Sequence, residues 1–247
     1  MATPSEIIAE GTYLCSITDP AHISFPASSV KIVDMSIDSK ALNAVNMKLR
    51  EKSHVKRIRI RPGEYHVASK NVIISTLLGS CVSVCLYDPV QKIIGMNHFL
   101  LSNKRYAKNM PVCVTEAGRY GIHAMELLIN EMLRMGARRD NLQAKAFGGG
   151  SLLEPATTND NFFCVGDVNT RFIREFLAND GIPLVTADLG GDTGRVIHFC
   201  FDDFSVYVRK IRKTINRRLI DEEHHFWKNS IEKQEQKISA PDVDLWE

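Results

Sequence analysis

The stretch ISTLLGSCVSVCLYD, residues 74–88, decides the fold. Both of its ends are apolar and rich in β-branched residues, which is typical of strands buried in a core. Between them stand three small residues, Gly79, Ser80 and Cys81. Glycine permits a backbone turn, and serine and cysteine are small enough to leave room beside it. The pattern predicts a bend between two core strands that either buries an inert cysteine or presents a thiol nucleophile.

The residues that follow predict a β-hairpin. The polar turn DPVQK, residues 88–92, separates VSVCLYD from a second apolar run, IIGMNHFLL, at residues 93–101. Two such runs around a short polar turn are typical of paired antiparallel strands. His98 then lies in an apolar strand beside the strand that follows Cys81, where burying an imidazole is costly unless it has a partner. A core histidine with a satisfied hydrogen bond and a catalytic base both fit this position.

The surrounding segments predict one α+β domain over residues 56–213. Apolar residues at spacings of three and four predict a helix from about 115 to 135, and Asp167 or Asn169 is suited to cap a second helix that Gly181 ends. The buried face of the first helix is predicted to carry Ala124, Leu127, Leu128, Met132 and Met135. Several mostly antiparallel strands complete the domain, and one of them, AKAF, runs into the glycine bend GGGS.

Both ends of the chain extend beyond this domain. Residues 1–55 contain polar clusters and short apolar runs, which predicts a loosely structured extension with one short helix over ALNAVNMKLREK. Residues 214–247 are strongly charged and predict a helix followed by a short tail.

Composition narrows the function classes. Hydrophobic residues make up 44% of the 247 and charged residues 24%, as in ordinary soluble globular proteins. A net charge of +2 does not favour nucleic acid or an anionic membrane as the main partner. The N-terminus lacks the features of a secretory signal and no apolar run is long enough to span a membrane, so a cytoplasmic location is expected.

The six cysteines are scattered without a CxxC pair, which favours a reduced protein over a disulfide framework. Cys81, Cys85 and His98 could in principle bind zinc, but zinc usually has four ligands in two close pairs, and no second pair is visible. Cys85 shares the strand parity of Cys81 without the glycine bend, and it is interpreted as a buried hydrophobe.

A family resemblance rests on these residues. LGSCVSVCLYD, followed by the histidine of GMNHFLL seventeen residues after Cys81, is similar to the chemoreceptor glutamine deamidases called CheD. The similarity continues through PGEYHV, AKAFGGGSLL, the segment from VGDVNTRF to GRVIHF, and VYVRKI, and so covers roughly residues 60 to 212.

The resemblance implies a cysteine hydrolase in a layered α/β sandwich that converts glutamine side chains of methyl-accepting chemotaxis receptors to glutamate. The family's trio is a cysteine, a histidine and a hydroxyl residue, usually threonine, six positions before the cysteine. The first two correspond to Cys81 and His98, and that spacing places the hydroxyl on Ser75, with Thr76 next to it. Because side chains alternate along a strand, only one of the two can reach His98, and the family spacing favours Ser75.

The expected chemistry is attack of the Cys81 thiolate, paired with the His98 imidazolium, on the glutamine amide carbon. Backbone N–H groups at Gly79 and Ser80 are expected to hold the oxyanion, and no metal or organic cofactor is required. Two alternatives remain: a non-catalytic adaptor that binds receptors and the chemotaxis phosphatase CheC, and a structural fold in which Cys81 is inert. Ammonia release distinguishes the deamidase from both.

Overall fold

In the computed structural model, the residues described are 30–34, 47, 52, 54–101, 116–151, 165–211 and 225. The elements follow one another as β1 (Val30–Asp34), β2 (Lys56–Arg59), β3 (Tyr65–Ala68), β4 (Val72–Leu78), β5 (Val82–Asp88), β6 (Ile93–Asn97), α1 (Glu116–Arg134), a short 3-10 helix (Arg139–Asn141), β7 (Gln143–Gly148), α2 (Val165–Asn179), β8 (Leu184–Leu189), β9 (Arg195–Cys200) and β10 (Val206–Lys210). None of the helices within the described residues is long and apolar enough to cross a membrane.

The strands form two five-stranded sheets. The first sheet has the order β1-β10-β9-β4-β2, and the second sheet has the order β3-β6-β5-β7-β8. Most of the pairings are antiparallel, while β1 with β10, β2 with β4, and β7 with β8 are parallel. The predicted α+β sandwich of mostly antiparallel strands and two main helices is confirmed.

Two apolar layers hold the elements together. Between the helices and the second sheet lies a cluster that includes Val84, Ile129 and Phe172. Between the two sheets lies another cluster, which includes Cys81 and Phe199. The second sheet is therefore covered on both faces, and this explains why β5 reads as a continuous apolar run rather than an alternating one.

The alternation of β5 assigns each of its side chains to one layer. Val82, Val84 and Leu86 face the helices. Cys81 and Cys85 face the first sheet, so both thiols lie in the layer between the sheets. The hairpin predicted at Asp88 is confirmed, since β5 and β6 pair in antiparallel fashion up to Asp88 and Ile93.

Several local predictions need correction. Helix α2 begins at Val165, before either of the predicted caps, so Asn169 lies inside the helix. Leu127 was predicted to be buried, but its side chain is 40% exposed. Residues 30–34 form a strand that pairs with β10, although the extension was predicted to be loosely structured.

The other predictions for the two ends of the chain lie outside the described residues. This applies to the short helix over residues 41–52, of which only Met47 and Lys52 are described, and to nearly all of residues 214–247. The domain limits at 55/56 and 213/214 therefore stay predictions.

Candidate active site

Cys81 lies at the bend between β4 and β5, at the end of the layer between the sheets. Its side chain is 0% exposed and belongs to the apolar cluster that joins the two sheets. Gly79 and Ser80 form the bend itself, as the three small residues in the sequence predicted. A buried thiol at a sharp bend needs a firmly held backbone, and the surrounding hydrogen bonds provide it.

Three consecutive carbonyl groups of the bend each accept a hydrogen bond from another part of the chain. The Gly79 carbonyl accepts a hydrogen bond from the Gly150 N–H at 2.7 Å, and the Cys81 carbonyl accepts one from Gly149 at 2.7 Å. The Ser80 carbonyl between them accepts a hydrogen bond from Asn169 Nδ2 at 2.8 Å. These bonds fix the orientation of each peptide unit in the bend.

The glycine bend after β7 packs against the nucleophile bend without space for side chains. A Cβ on Gly148 would lie 2.1 Å from the Cys81 carbonyl oxygen, and one on Gly149 would lie 2.1 Å from Thr170 Oγ1. Both residues also have positive φ angles, of 112° and 67°. Glycine is required here both for its backbone conformation and for the close approach of Gly148 to Cys81 and of Gly149 to Thr170.

His98 lies just after β6, on the face that also carries Cys81. The register of β5 with β6 continues to a bridge between Val82 and Phe99, which places His98 opposite Ser83. Cys81 and His98 are therefore diagonal neighbours on one face of the second sheet, a relation that typically places Cα atoms about 7–8 Å apart. The His98 backbone is held by hydrogen bonds to Gly63 at 2.8 Å and to Glu64 at 3.0 Å.

The His98 ring extends toward the first sheet, where it meets Thr76. The Thr76 Oγ1 lies 2.8 Å from His98 Nδ1 and also 2.8 Å from the carbonyl oxygen of Ile60. A carbonyl can only accept, so the single hydroxyl hydrogen of Thr76 goes to Ile60. The Thr76 oxygen must then accept from Nδ1–H, which places the imidazole proton on Nδ1 and leaves the lone pair on Nε2.

Ser75, the residue favoured by the family spacing, does not contact His98, and that prediction is wrong. Its Oγ lies 2.8 Å from Nδ1 of His198, its neighbour on β9. Alternation of side chains along β4 was correctly expected, but Thr76 is the residue that faces the layer between the sheets. Five positions, not six, separate the hydroxyl that meets His98 from Cys81.

Burial keeps His98 uncharged. Its side chain is 2% exposed, and removal from water lowers the pKa of His98 to about 3. The Nε2 atom is buried and has no hydrogen-bond partner among the described residues. At neutral pH this site therefore holds a neutral imidazole with an available lone pair on Nε2, which is the form that a general base requires. The imidazolium expected in the resting site is not favoured here.

A pocket beside α1 reaches His98 from the surface. Its lining includes Glu64 and Tyr65 before and within β3, His98, and Tyr120 and His123 on α1. Burial raises the pKa of Tyr120, and negative charge on Cys81 would raise it further, so the phenol stays protonated near the thiol.

Sequence reasoning missed this pocket. Tyr120, His123 and Leu127 lie on one side of α1 by their spacing, but of the three only Leu127 was singled out from the sequence, as part of the buried face. The exposed fraction of Leu127 at the pocket rim was the feature that helical periodicity alone did not reveal.

The remaining thiols and acidic groups suit other roles. Cys85 is fully buried, and burial raises the pKa of its thiol, so it packs as an apolar residue as predicted. Among the described residues, one group of three potential metal ligands comes together: Cys200, Asp202 and Asp203. The Lys52 ammonium already lies 2.6 Å from Asp202, and a metal ion there would have to displace it.

The family model and the curated relatives that match this chain indicate the same family. A family model described as CheD chemotactic sensory transduction matches residues 100–210. "Probable chemoreceptor glutamine deamidase CheD 1" from Geobacter sulfurreducens is 57% identical over 189 residues, which cover 76% of this chain and 93% of that protein. "Probable chemoreceptor glutamine deamidase CheD 2" from Shewanella oneidensis is 46% identical over 178 residues, which cover 71% and 88%.

A match of 189 residues within a chain of 247 must include the segment from Thr76 to His98. A solved structure of Neisseria meningitidis protein NMB0706, family-model DUF152, covers 63% of this chain and 71% of its own at 12% identity. Its TM-score of 0.35 is too low to bear on the fold or the function.

Proposed function

Because this chain belongs to the CheD family, we propose that it is a protein-glutamine deamidase that converts glutamine side chains of methyl-accepting chemotaxis receptors to glutamate. The observation that carries the proposal is the His98 hydrogen bond to Thr76, on the face that also carries Cys81. A buried, neutral histidine with a fixed tautomer beside a buried thiol is the arrangement that a cysteine hydrolase uses.

In the proposed mechanism, the thiol and the imidazole are both neutral before the reaction. As Cys81 Sγ attacks the amide carbon of glutamine, its proton passes to His98 Nε2. The imidazolium then gives this proton to the departing nitrogen, ammonia leaves, and a thioester remains. Water that gives up a proton to His98 hydrolyses the thioester, so glutamate and the free thiol are formed.

Thr76 and the nucleophile bend support this sequence of steps. The Thr76 oxygen accepts from Nδ1–H, so it stabilises the positive charge that forms on His98 during attack. The carbonyl groups of Gly79, Ser80 and Cys81 are bonded to the glycine bend and Asn169, which supports the role of N–H groups at this bend in holding the oxyanion.

The partners and location follow from the same proposal. The substrate is the cytoplasmic part of a receptor, so the enzyme acts in the cytoplasm without inserting into a membrane or binding nucleic acid. A CheC-type phosphatase is a second proposed partner, and the catalytic unit is proposed to be residues 56–213. No metal or organic cofactor takes part in any step.

The deciding experiment is mass spectrometry of a receptor cytoplasmic fragment after incubation with the protein. Each converted glutamine should gain about one dalton, because oxygen and hydrogen replace the amide nitrogen and its two hydrogens. Cys81→Ala should abolish both this gain and ammonia release. Cys85→Ala is the matched control, since it removes a buried thiol from the same face of β5 and should keep the activity.

Substantial activity of folded Cys81→Ala would overturn the mechanism. Binding of the receptor fragment by the wild-type protein without any ammonia release would instead identify a binding module, and the adaptor would replace the enzyme as the function.

A further inference from the structure

Asn169 joins the two halves of the site through their backbones. It is fully buried in α2, although the sequence suggested a helix cap. Its Nδ2 donates to the Ser80 carbonyl at 2.8 Å, and its Oδ1 accepts from the Leu101 N–H at 2.8 Å. Ser80 immediately precedes Cys81, and Leu101 lies three residues after His98. One amide therefore contacts both the nucleophile bend and the segment that carries the base.

The Asn169 amide occupies the place of a backbone hydrogen bond between the segments that extend β5 and β6. Val82 and Phe99 exchange two backbone hydrogen bonds, of 3.0 and 2.9 Å, where the pairing of β5 and β6 continues past the named strands. In an antiparallel ladder, the next pair that exchanges hydrogen bonds lies two residues further along, and here that pair is Ser80 and Leu101. The Asn169 amide lies between the Leu101 N–H and the Ser80 carbonyl, in place of a direct bond.

An inserted amide holds the two backbones apart. A direct ladder bond would bring the Leu101 nitrogen within about 2.9 Å of the Ser80 oxygen, whereas the amide adds its own width and a second hydrogen bond. The preceding rung at Val82 and Phe99 is closed by two direct bonds, whereas the Asn169 amide bridges the rung at Ser80 and Leu101.

We propose that Asn169 is a positioning residue that sets the separation of the strand segments carrying Cys81 and His98. The inference rests on the proposed function, because this separation determines how far the proton must travel from Cys81 Sγ to His98 Nε2. Removal of the amide would allow the rung to close directly, which would draw Ser80 and its neighbour Cys81 toward Leu101.

Asn169→Ala is the test variant, since it removes both the acceptor for Leu101 and the donor to Ser80 and leaves space for the rung to close. We expect kcat to fall about tenfold or more, with KM changed by less than about threefold, because misplacement of a reacting group mainly affects the chemical step. Ile173→Val is the matched control: it removes one buried methylene from the same helix, away from the bend, and should keep kcat within about twofold.

Alkylation of Cys81 by iodoacetamide, followed by peptide mass spectrometry, tests the positioning without any substrate. Its rate should change by more than about threefold in Asn169→Ala and stay near the wild-type rate in Ile173→Val. If the wild-type protein releases no ammonia, the proposed function fails, while the alkylation comparison still decides the role of Asn169. If ammonia is released and Asn169→Ala keeps both rates, the positioning role fails and the deamidase stands.

A measurement on the wild-type protein does not depend on the folding of any variant. One proton of the Asn169 side-chain amide should exchange slowly in NMR, because it is buried in the hydrogen bond to Ser80. Rapid exchange of both protons would overturn the proposal.

Discussion

At the scale of single residues, one hydroxyl hydrogen decides which nitrogen of His98 can act as a base. The Thr76 hydroxyl has one hydrogen and two neighbours, and the Ile60 carbonyl is the neighbour that cannot donate. The backbone carbonyl of Ile60, next to the end of β2 in the first sheet, therefore sets the tautomer of His98, which follows β6 in the second sheet. Ser75 forms the same kind of contact with His198 on the other face of the first sheet, so a serine or threonine beside a histidine is not by itself a catalytic feature.

Substitutions at Thr76 and Ser75 test the contacts with His98 and His198 independently. Thr76→Val keeps the shape of the side chain but leaves the His98 Nδ1–H without an acceptor, and we expect the deamidation rate to fall about a hundredfold. Thr76→Ser restores the acceptor and should recover most of the rate, while Ser75→Ala should keep the rate within about threefold. The measurement is ammonia release together with the thermal midpoint of each variant. Normal activity in Thr76→Val would show that the Thr76 contact is not what orients His98.

At the scale of elements, the site depends on the contact between two bends from distant parts of the chain. The bend between β4 and β5 presents Cys81, and the glycine bend after β7 supplies the N–H groups that bond its carbonyls. Gly166, at the start of α2, packs against the second bend so closely that a Cβ would lie 2.6 Å from the Gly149 carbonyl oxygen. The two bends and the start of α2 therefore pack against one another and hold the backbone of Cys81 in place.

Gly149→Ala tests this support. Its Cβ would meet Thr170 Oγ1 at 2.1 Å on a residue with a φ of 67°, so the bend must shift. We expect a loss of activity of about tenfold or more, in addition to a stability loss of at least about 1–2 kcal/mol. Gly181→Ala is the control, because Gly181 has the same φ of 67° but has open space around it. It should lose similar backbone stability while keeping kcat, and equal loss of kcat in both variants would contradict the role of the glycine bend.

At the scale of the whole molecule, local patterns predicted the elements and long-range contacts determined the site. The hairpin at Asp88 and helix α1 each follow from short stretches of sequence, and both were predicted. The choice between Ser75 and Thr76 could not be made locally, because β4 is apolar on both sides of the strand and neither face is marked as the core. It depends on a contact between two sheets, across 22 residues of chain. The role of Asn169 was likewise invisible, since a helix asparagine followed by an apolar pattern looks like a cap.

Two histidines that are removed from water, His98 fully and His198 partly, make the stability of the whole molecule depend on pH. Burial lowers the pKa of His98 to about 3, and burial together with Arg57 and Arg209 lowers the pKa of His198 to about 4. The unfolded chain, with ordinary histidine pKa values near 6.5, binds these protons more readily. Each histidine therefore contributes stability that is complete above about pH 6.5 and is lost as the pH falls toward the folded pKa, at about 1.4 kcal/mol per pH unit.

Urea unfolding of wild-type protein and His198→Gln between pH 7 and pH 5 measures this effect, in a range where most carboxyl groups stay ionised. The wild-type free energy of unfolding should fall more steeply with decreasing pH than that of His198→Gln, by up to about 1.4 kcal/mol per pH unit. His54→Gln, at an exposed position, should follow the wild-type slope. Parallel curves for wild-type protein and His198→Gln would show that His198 can take up a proton in the folded protein without penalty. In that case the Ser75 contact would have to stabilise an imidazolium despite the positive charges of Arg57 and Arg209, and the outer face of the first sheet would be able to bind a proton that the layer between the sheets excludes.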